Sequence, residues 1–280
     1  MAETKPSWNL EKGAPIAEGR TVLEPFGGGR RYEVFLVCDE ELDRVAVAKV
    51  LRPDRVDDES SLLALRREAE LLERLAHRAL VRGIDAVLEG PYPHLLLEYV
   101  DGVNLRDVLE EYVTLPADEA VDVALDVLDA LDHMAENGAV HLDVKPSNIV
   151  MTDPTRLIDL GAARTLEELA ERRTPIGTAA YMAPEQCDPR SDYGPIGPPA
   201  DVWGLGATLY HALTGNRPFS KPGAPGSDPL ERYPQLVEEP LPSPDYVPEP
   251  VSRVVMSMLA RDQRERPTAV QAAVAFGALE

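Results

Sequence analysis

His141-Leu142-Asp143-Val144-Lys145-Pro146-Ser147-Asn148 is the stretch of the chain that decides its fold. Two short motifs follow it, Asp159-Leu160-Gly161 and then Ala183-Pro184-Glu185. A loop of this composition could arise from turn chemistry alone, because Asp, Asn and Pro favour turns. The fixed order and spacing of an acid, a lysine, an amide and a second acid argue instead for a chemical site.

The composition describes a globular protein that can bury a sizeable core. The chain has 280 residues, 44% of them hydrophobic, and a formal net charge of −21. Nucleic acids and anionic membranes need a basic surface, so this charge argues against both as main partners. Cys38 and Cys187 are too few for a disulfide framework or a zinc site, and they predict reduced thiols in an intracellular protein. Residues 1–18 lack an apolar stretch, and the chain has no run of about 18 apolar residues, so we expect no signal peptide, no membrane insertion and a cytoplasmic location.

The first third of the chain predicts a small sheet with one helix. Residues 34–37 and 44–51 carry the β-branched and alternating pattern of strands, and a polar turn at residues 39–43 joins them. Ser60-Ser61 predicts an N-cap for a helix over residues 62–76. Residues 81–87 and 94–99 predict two more strands.

The rest of the chain is predicted to be mainly helical. Between Pro116 and Asn137 apolar residues recur at steps of three and four, and Gly138 stands at the expected C′ position. Further helices are predicted over residues 200–213, 251–260 and 268–279. Proline and glycine crowd residues 189–199 and 222–250, which predicts ordered but irregular loops.

The three motifs resemble the catalytic core of protein kinases in both order and spacing. The resemblance covers about residues 20 to 280 and most closely suggests a bacterial eukaryotic-like serine/threonine kinase. It implies that Asp143 accepts or orients the attacking hydroxyl and that Lys145 meets the charge of the transferred phosphoryl group. It also implies that Asn148 and Asp159 hold Mg²⁺ or Mn²⁺ and that ATP is the phosphoryl donor.

The same resemblance assigns Lys49 to the phosphates of ATP. Strand alternation puts Val47 and Lys49 on one face, where both would face the nucleotide. A kinase lysine of this kind needs a glutamate from the following helix. Glu68 lies on the apolar stripe of that helix, with leucines at i−3, i+3, i+4 and i+7, whereas Glu70 lies among charged residues. A buried carboxylate is costly unless it is paired, so we predict a Lys49–Glu68 ion pair; the alternative is a core acid without a functional role.

Gly27, Gly28 and Gly29 predict a phosphate loop in front of Val34. The family usually shows Gly-x-Gly-x-x-Gly-x-Val, and here Tyr32 replaces the third glycine. Glycine still allows the backbone to approach the phosphates, although alone such a run would indicate only a turn.

The remaining nucleotide contacts are also implied by the resemblance. Leu97 resembles the gatekeeper, and backbone groups of Glu98 and Val100 are expected to bond adenine. The predicted contacts are completed by Val34, Val47 and Val150.

The segment from Gly177 to Glu185 resembles the substrate-docking segment of Ser/Thr kinases. There Thr178 is implied to bond to Asp143 and Lys145, and Lys145 itself favours Ser/Thr over Tyr acceptors. Structural roles are implied for a pair between Glu185 and Arg266, and for Asp201 as an acceptor of backbone N–H groups from the catalytic loop.

We therefore predict an α+β, two-lobed protein kinase fold, with a small antiparallel β-sheet N-lobe carrying one regulatory helix and a larger, mainly α-helical C-lobe. Residues 1–20 would be an N-terminal extension, 21–100 the N-lobe and 101–280 the C-lobe. The predicted activity is Mg-ATP-dependent transfer of the γ-phosphoryl group to Ser or Thr hydroxyls of protein substrates, with autophosphorylation. The oligomeric state is left open.

Two other functions fit parts of this pattern. A pseudokinase would hold nucleotide or a partner without turnover, and two departures favour it: Tyr32 in place of the third glycine, and Leu160 where the family usually has Phe. It would be expected to lack Lys49, Asp143, Asn148 or Asp159, and all four are present. A small-molecule kinase on a related fold would lack the docking segment from Gly177 to Glu185.

Leu142 replaces the arginine that many kinases carry before the catalytic aspartate. In those kinases the arginine pairs with a phosphorylated residue of the activation segment and orders it. Leucine cannot do so, which predicts basal activity that does not depend strongly on phosphorylation of Thr174 or Thr178. Arg164, Arg172 and Arg173 are the candidates for substitute cations.

Overall fold

The computed structural model describes residues 6–190 and 193–279. Parts of three predicted segments lie outside the described residues: the start of the N-terminal extension, two residues of the loop at 189–199, and the last residue of the chain. The chain divides into two compact units. The first unit is formed by the residues up to Ala76 together with residues 81–101, and the second by residues 77–80 and those from Gly102 onward.

The first unit is built on a six-stranded sheet in the order β1-β2-β3-β4-β6-β5, with every neighbouring pair antiparallel. Its strands are β1 (Pro15–Ala17), β2 (Arg20–Gly28), β3 (Tyr32–Asp39), β4 (Arg44–Leu51), β5 (Gly83–Val87) and β6 (His94–Glu98). Alternate residues of the central strands are buried in one core, because successive side chains of a strand point to opposite faces. That core contains Phe35, Val37, Ala46, Ala48, Val50 and Leu96.

One helix, α1 (Glu59–Arg74), follows β4 in the first unit. The predicted cap was wrong: Asp58 is the N-cap, and its carboxylate accepts a bond from the backbone N–H of Ser61 at 3.0 Å. The Ser60 and Ser61 hydroxyls donate to the same carboxylate. An ionised acid accepts several bonds at a helix N-terminus and is favoured there by the helix dipole, so it outcompetes a serine two residues later.

The second unit is mainly helical. Its longer helices are α2 (Leu105–Tyr112), α3 (Ala117–Glu136), α6 (Pro198–Thr214), α8 (Glu249–Met258) and α9 (Ala269–Gly277). The α6 helix is buried almost all round, and α3 packs against both α6 and α9. Gly138 follows α3 with a φ of +65°, the left-handed conformation predicted for it.

Short strands and short helices join these long helices. Two small sheets contain β7 (Val103–Asn104), β8 (Ala139–Val140), β9 (Ile149–Met151), β10 (Arg156–Leu157) and β11 (Arg164–Thr165), in the orders β10-β9-β7 and β11-β8. The short helices are α4 (Leu166–Ala170), α5 (Pro184–Cys187) and α7 (Pro229–Arg232). The predicted irregular loop at 222–250 therefore contains α7 and a 3-10 turn at Pro234–Leu236, both of which begin at a proline.

The predicted long helices and central strands are present, with ends displaced by a few residues. Only β4 has the predicted bounds at both ends. No helix within residues 6–190 and 193–279 combines the length and apolar character needed to cross a bilayer. A sheet-based unit and a mainly helical unit are the α+β arrangement that the sequence predicted.

Candidate active site

Lys49 and Glu68 form the predicted ion pair in the first unit. The Lys49 ammonium donates to both carboxylate oxygens of Glu68, at 2.7 and 3.0 Å. Both residues are buried, whereas Glu70 is exposed, as the helix periodicity predicted. Lys49 is held by strand pairing, because it lies opposite Val34 on β3.

Tyr32 covers the ammonium of Lys49. Its ring centroid lies 4.7 Å from Nζ, a cation–π distance. Burial raises the pKa of Tyr32, and the nearby Glu68 carboxylate adds to that shift, so the ring stays neutral near pH 7. The sequence showed only that a glycine was missing at this position. The structure shows that the replacement contacts the predicted phosphate-binding lysine.

Of the three glycines predicted to form the phosphate loop, two belong to a strand and only Gly29 lies in a turn. Gly27 and Gly28 end β2 and pair with Val34 and Glu33, with φ values of +143° and +148°. The turn itself follows at Gly29, whose N–H donates to the carbonyl of Tyr32 at 2.9 Å. A side chain at Gly28 would place its Cβ 2.9 Å from that same carbonyl oxygen, so this position has room only for glycine.

The predicted adenine contacts lie at the end of β6. Leu97 pairs with Val47 across the sheet, which places these two predicted nucleotide contacts side by side. The backbone N–H of Glu98 donates to the carbonyl of Arg82 at 3.0 Å, and the Glu98 carboxylate accepts from the Arg82 N–H at 2.7 Å. These bonds fix the course of the chain ahead of Val100. Adenine binding here stays a prediction.

Asp143, Lys145 and Thr178 form a closed hydrogen-bonded triangle in the second unit. The Lys145 ammonium donates to Asp143 Oδ2 at 2.5 Å and to Thr178 Oγ1 at 2.8 Å. The Thr178 hydroxyl donates to Asp143 Oδ1 at 2.6 Å. Asn148 holds the backbone that carries Asp143, because its Nδ2 donates to the backbone carbonyl of Asp143 at 2.9 Å. The three residues predicted to meet are therefore in direct contact.

Asp201, near the start of α6, holds the backbone ahead of this triangle. Its two carboxylate oxygens accept from the N–H groups of His141 at 2.6 Å and Leu142 at 2.7 Å, as predicted. Leu142 has a φ of +67°, a conformation that is unfavourable for leucine and that these bonds help to impose. Burial raises the pKa of Asp201 to about 7, although both backbone donors oppose the shift.

Asn148 and Asp159, the predicted metal ligands, lie at the same end of the β9–β10 pair. The N–H of Ile158 donates to the Asn148 carbonyl at 2.8 Å, so Asp159 follows directly on the residue paired with Asn148. Asp159 has a φ of +68° and caps the following turn through Gly161. No group of three or more His, Cys, Asp or Glu side chains within the described residues could hold a metal ion by itself. Oxygen donors from one carboxylate and one amide nevertheless suit Mg²⁺, which keeps waters and substrate phosphates as its other ligands.

Two buried glutamines that the sequence analysis missed hold the segment from Gly177 to Glu185. Gln186 Nε2 donates to the carbonyls of Leu142 and Ile176, both at 2.9 Å, and Gln186 Oε1 accepts from the N–H of Ala183 at 2.9 Å. Gln235 Nε2 donates to the carbonyls of Ala179 and Met182, at 2.8 and 2.9 Å. Gln186 thus connects the residue before Asp143 to the docking segment.

Cys187 lies in a small buried cluster beneath the docking segment, together with Met182, Tyr233 and Leu236. Its sulfur accepts a contact from Gln235 Nε2 at 3.2 Å. Burial raises the pKa of the Cys187 thiol well above its usual value, so the thiolate is strongly disfavoured.

Glu185 and Arg266 form the predicted buried pair, and both side chains are completely inaccessible to solvent. Arg266 donates to the two oxygens of Glu185 at 2.6 and 2.9 Å. Its remaining N–H groups donate to the carbonyls of Ala260, Pro199 and Arg261. The guanidinium also lies over the ring of Trp203, 4.9 Å from its centroid.

The three arginines proposed as substitute cations donate to nearby backbone carbonyls. Arg164 donates to the carbonyls of Gly161, Ala162 and Ala163. Arg172 donates to Thr174 and Pro175, and Arg173 donates to Ala170 and Arg172. These bonds hold the three guanidinium groups against the backbone of the segment after Asp159.

A family model described as the protein kinase domain matches residues 20–275. The chain belongs to the protein kinase family. Its fold is accordingly the two-lobed kinase fold, with an antiparallel sheet in the N-terminal part and a helical C-terminal part. Members of this family generally use ATP and a divalent metal.

Several bacterial kinases are similar to this chain. The serine/threonine-protein kinase PknB of Mycobacterium leprae is 35% identical over 254 residues, which are 86% of this chain and 39% of the relative. PknB of Mycobacterium tuberculosis is 35% identical over 257 residues, covering 87% and 40%. A probable PknB of Corynebacterium glutamicum is 30% identical over 283 residues, covering 94% and 42%. The chain thus spans about two fifths of the length of these relatives.

Proposed function

We propose that this chain is a Mg-ATP-dependent serine/threonine protein kinase that transfers the γ-phosphoryl group to Ser or Thr hydroxyls of proteins, its own among them. The triangle of Asp143, Lys145 and Thr178 is the observation that carries this proposal. It places a carboxylate and an ammonium within 2.5 Å of each other, next to a segment that resembles a substrate-docking segment. The relatives from Mycobacterium leprae and Mycobacterium tuberculosis are named serine/threonine-protein kinases, which supports Ser and Thr hydroxyls as the phosphoryl acceptors.

Asp143 acts as the acceptor of the substrate proton. As the hydroxyl oxygen bonds to the γ-phosphorus and the bond to the leaving ADP oxygen breaks, the hydroxyl proton passes to an Asp143 carboxylate oxygen. Lys145 neutralises the negative charge carried by the phosphoryl oxygens. Thr178 holds both side chains in position through its hydroxyl, which leaves little reorganisation for the reacting state.

Lys49 orients the α- and β-phosphates of ATP, and Glu68 fixes its ammonium. The glycines Gly27, Gly28 and Gly29 let the backbone approach the phosphates. Adenine bonds to backbone groups of Glu98 and Val100. Its apolar contacts are Val34, Val47, Leu97 and Val150.

Asn148 and Asp159 hold Mg²⁺ or Mn²⁺ through their oxygens. The metal ion, when bound, neutralises phosphate charge. Their placement at one end of the β9–β10 pair and the oxygen chemistry of the two side chains support this assignment.

We further propose that residues 21–100 and 101–280 act as the N-lobe and C-lobe, with residues 1–20 as an extension. The protein works in the cytoplasm on protein substrates and does not act on nucleic acid. The strongly negative net charge supports the last point.

The test is incubation with labelled ATP and Mg²⁺, followed by mass spectrometry of the enzyme and of a protein lysate. Lys49→Ala and Asp159→Asn are each expected to lower the rate by about 10²–10³-fold or more, the usual effect of removing an electrostatic stabiliser. Thr178→Ala should also lower the rate, because it removes the hydroxyl that contacts Asp143 and Lys145, and Thr178→Ser, which keeps the hydroxyl, is its matched control. Nucleotide binding without transfer by the wild type would mean a pseudokinase, and wild-type rates in Asp159→Asn would refute the site assignment.

A further inference from the structure

Residues 6–9, which precede the first strand, lie against the sheet of the first unit. We call Pro6 to Asn9 the N-terminal strap; it precedes the residues matched by the kinase family model. The Ser7 hydroxyl and the Trp8 backbone N–H donate to the two carboxylate oxygens of Glu33, at 3.0 and 3.1 Å. The Trp8 indole N–H donates to the carbonyl of Leu51 at 2.7 Å.

Aromatic packing adds to the anchoring of the strap. The ring of Trp8 meets the ring of Tyr92 edge-on, with centroids 4.8 Å apart. Such pairs contribute attraction beyond the burial of their area. The strap is therefore held both by its hydrogen bonds to Glu33 and by the packing of Trp8 against Tyr92.

Arg52 connects this strap to the turn from Gly29 to Tyr32, which we call the glycine turn. Its Nη1 donates to the carbonyl of Pro6 at 2.9 Å and to Glu33 at 3.3 Å, and its Nε donates to the carbonyl of Gly29 at 2.9 Å. Its backbone N–H donates to the carbonyl of Arg31 at 2.9 Å. The side chains of Arg52 and Glu33 are only 12% and 9% exposed, so solvent screens the bond between them little, whereas the bonds to Pro6 and Gly29 are exposed.

The glycine turn is held at its ends by the pairing of Gly27 and Gly28 with β3, and Arg52 adds bonds at Gly29 and Arg31. Glycine loses more backbone freedom on ordering than any other residue. Gly29 donates its own N–H to Tyr32, and a Cβ at Gly28 would lie 3.5 Å from Arg52 Nη2. The guanidinium therefore lies directly beside the backbone that the proposed function assigns to the phosphates.

We propose that Arg52, held by Glu33 and the N-terminal strap, is a positioning residue that orders the glycine turn for ATP. This inference rests on the proposed function. A turn that is ordered in advance binds its ligand at a smaller entropy cost, so the strap raises ATP affinity. It leaves the rate at saturating ATP unchanged, because the described bonds of the strap and of Arg52 lie within the first unit, whereas Asp143 and Lys145 belong to the second.

The experiment compares Arg52→Lys and Trp8→Ala with wild type in the full chain. Lysine keeps the charge but offers one compact ammonium, which cannot replace the separate Nε and Nη1 bonds. Arg55→Lys is the matched control, because Arg55 is 45% exposed and pairs only with its neighbour Asp54 in the contacts described. Mg-ATP affinity is measured by calorimetry, and turnover at saturating ATP is measured by phosphate transfer. Amide hydrogen exchange across residues 26–33 is followed in the absence of nucleotide.

For Arg52→Lys we expect ATP affinity to fall about tenfold, the effect of losing one hydrogen bond to a charged group. Trp8→Ala is expected to shift affinity in the same direction. Exchange across residues 26–33 should be faster in both variants, with turnover at saturating ATP within about twofold of wild type. Unchanged affinity and exchange in both variants, with wild type binding ATP normally, would overturn the inference alone. If wild type bound no Mg-ATP, the proposed function would fail as well.

Discussion

Glu185→Gln is expected to destabilise the protein strongly while preserving the shape of the side chain. Arg266 donates two of its five N–H groups to Glu185, and both side chains are inaccessible to solvent. The glutamine amide can accept one of these bonds, but its NH₂ group then faces the other guanidinium nitrogen. The buried positive charge also loses its only carboxylate partner among the contacts described.

The size of the effect follows from the burial. Removing one partner of a buried ion pair costs about 3–5 kcal/mol, and no solvent screening reduces that cost here. For a chain of 280 residues the entropy of unfolding near the midpoint is about 0.6 kcal/mol per kelvin. The melting temperature should therefore fall by about 5–8 °C.

Thermal unfolding followed by circular dichroism measures this shift. Glu249→Gln is the control, because Glu249 pairs with Arg253 on one helix face where both side chains are more than 70% exposed. An exposed pair of this kind contributes little, so the control should melt within about 1 °C of wild type. If Glu185→Gln also melts within that range, the buried pair does not stabilise the fold and the reasoning is refuted.

Three further predictions concern pH, the docking segment and regulation. The pKa of Asp201 is about 7 in the folded protein against a usual 3.8, so the folded state binds this proton more tightly than the unfolded state. The stability gained from that proton is full below pH 3.8 and is lost as the pH rises through 7. Asp201→Asn should therefore flatten the fall in denaturant midpoint between pH 4 and 7, and parallel curves would contradict this. Gly177→Ala should lower turnover at least about tenfold, because its Cβ would lie 2.5 Å from the Leu142 carbonyl; Gly13→Ala, also at positive φ but with no neighbour within 4 Å, should not. Thr174→Ala and phosphatase-treated enzyme should keep initial rates within about tenfold of untreated wild type, and a larger fall would show that a phosphate-dependent switch exists despite Leu142.

The sequence predicted well where the signal is local. Helical periodicity separated Glu68 from Glu70, and strand alternation placed Lys49, because one buried face imposes a regular pattern on its own element. The kinase resemblance located Thr178 and Asp201. It could not show Gln186 or Gln235, whose bonds span 44 and 53 residues and involve backbone carbonyls of any residue type.

Other failures have equally physical causes. Asp58 and Ser60 are both good caps, and only the geometry of the chain decides which one reaches the first N–H groups of α1. The sequence showed that Tyr32 replaces a glycine of the family motif. Its contact with Lys49 could not be predicted, because it depends on cross-strand pairing of β3 and β4. The N-terminal strap carries no periodic pattern, so its role was invisible before the contacts of Arg52 were known.

The burial of Cys187 makes the thiol a natural reporter of how often the docking segment opens. A thiol reagent can modify Cys187 only when Met182 and Leu236 move away from it, and modification at neutral pH also requires the disfavoured thiolate. Cys38 on β3 is only partly covered and should react first. The slow phase of alkylation would then measure local opening of the docking segment. Substrates or nucleotides that stabilise this segment should lengthen that phase without changing the fast one.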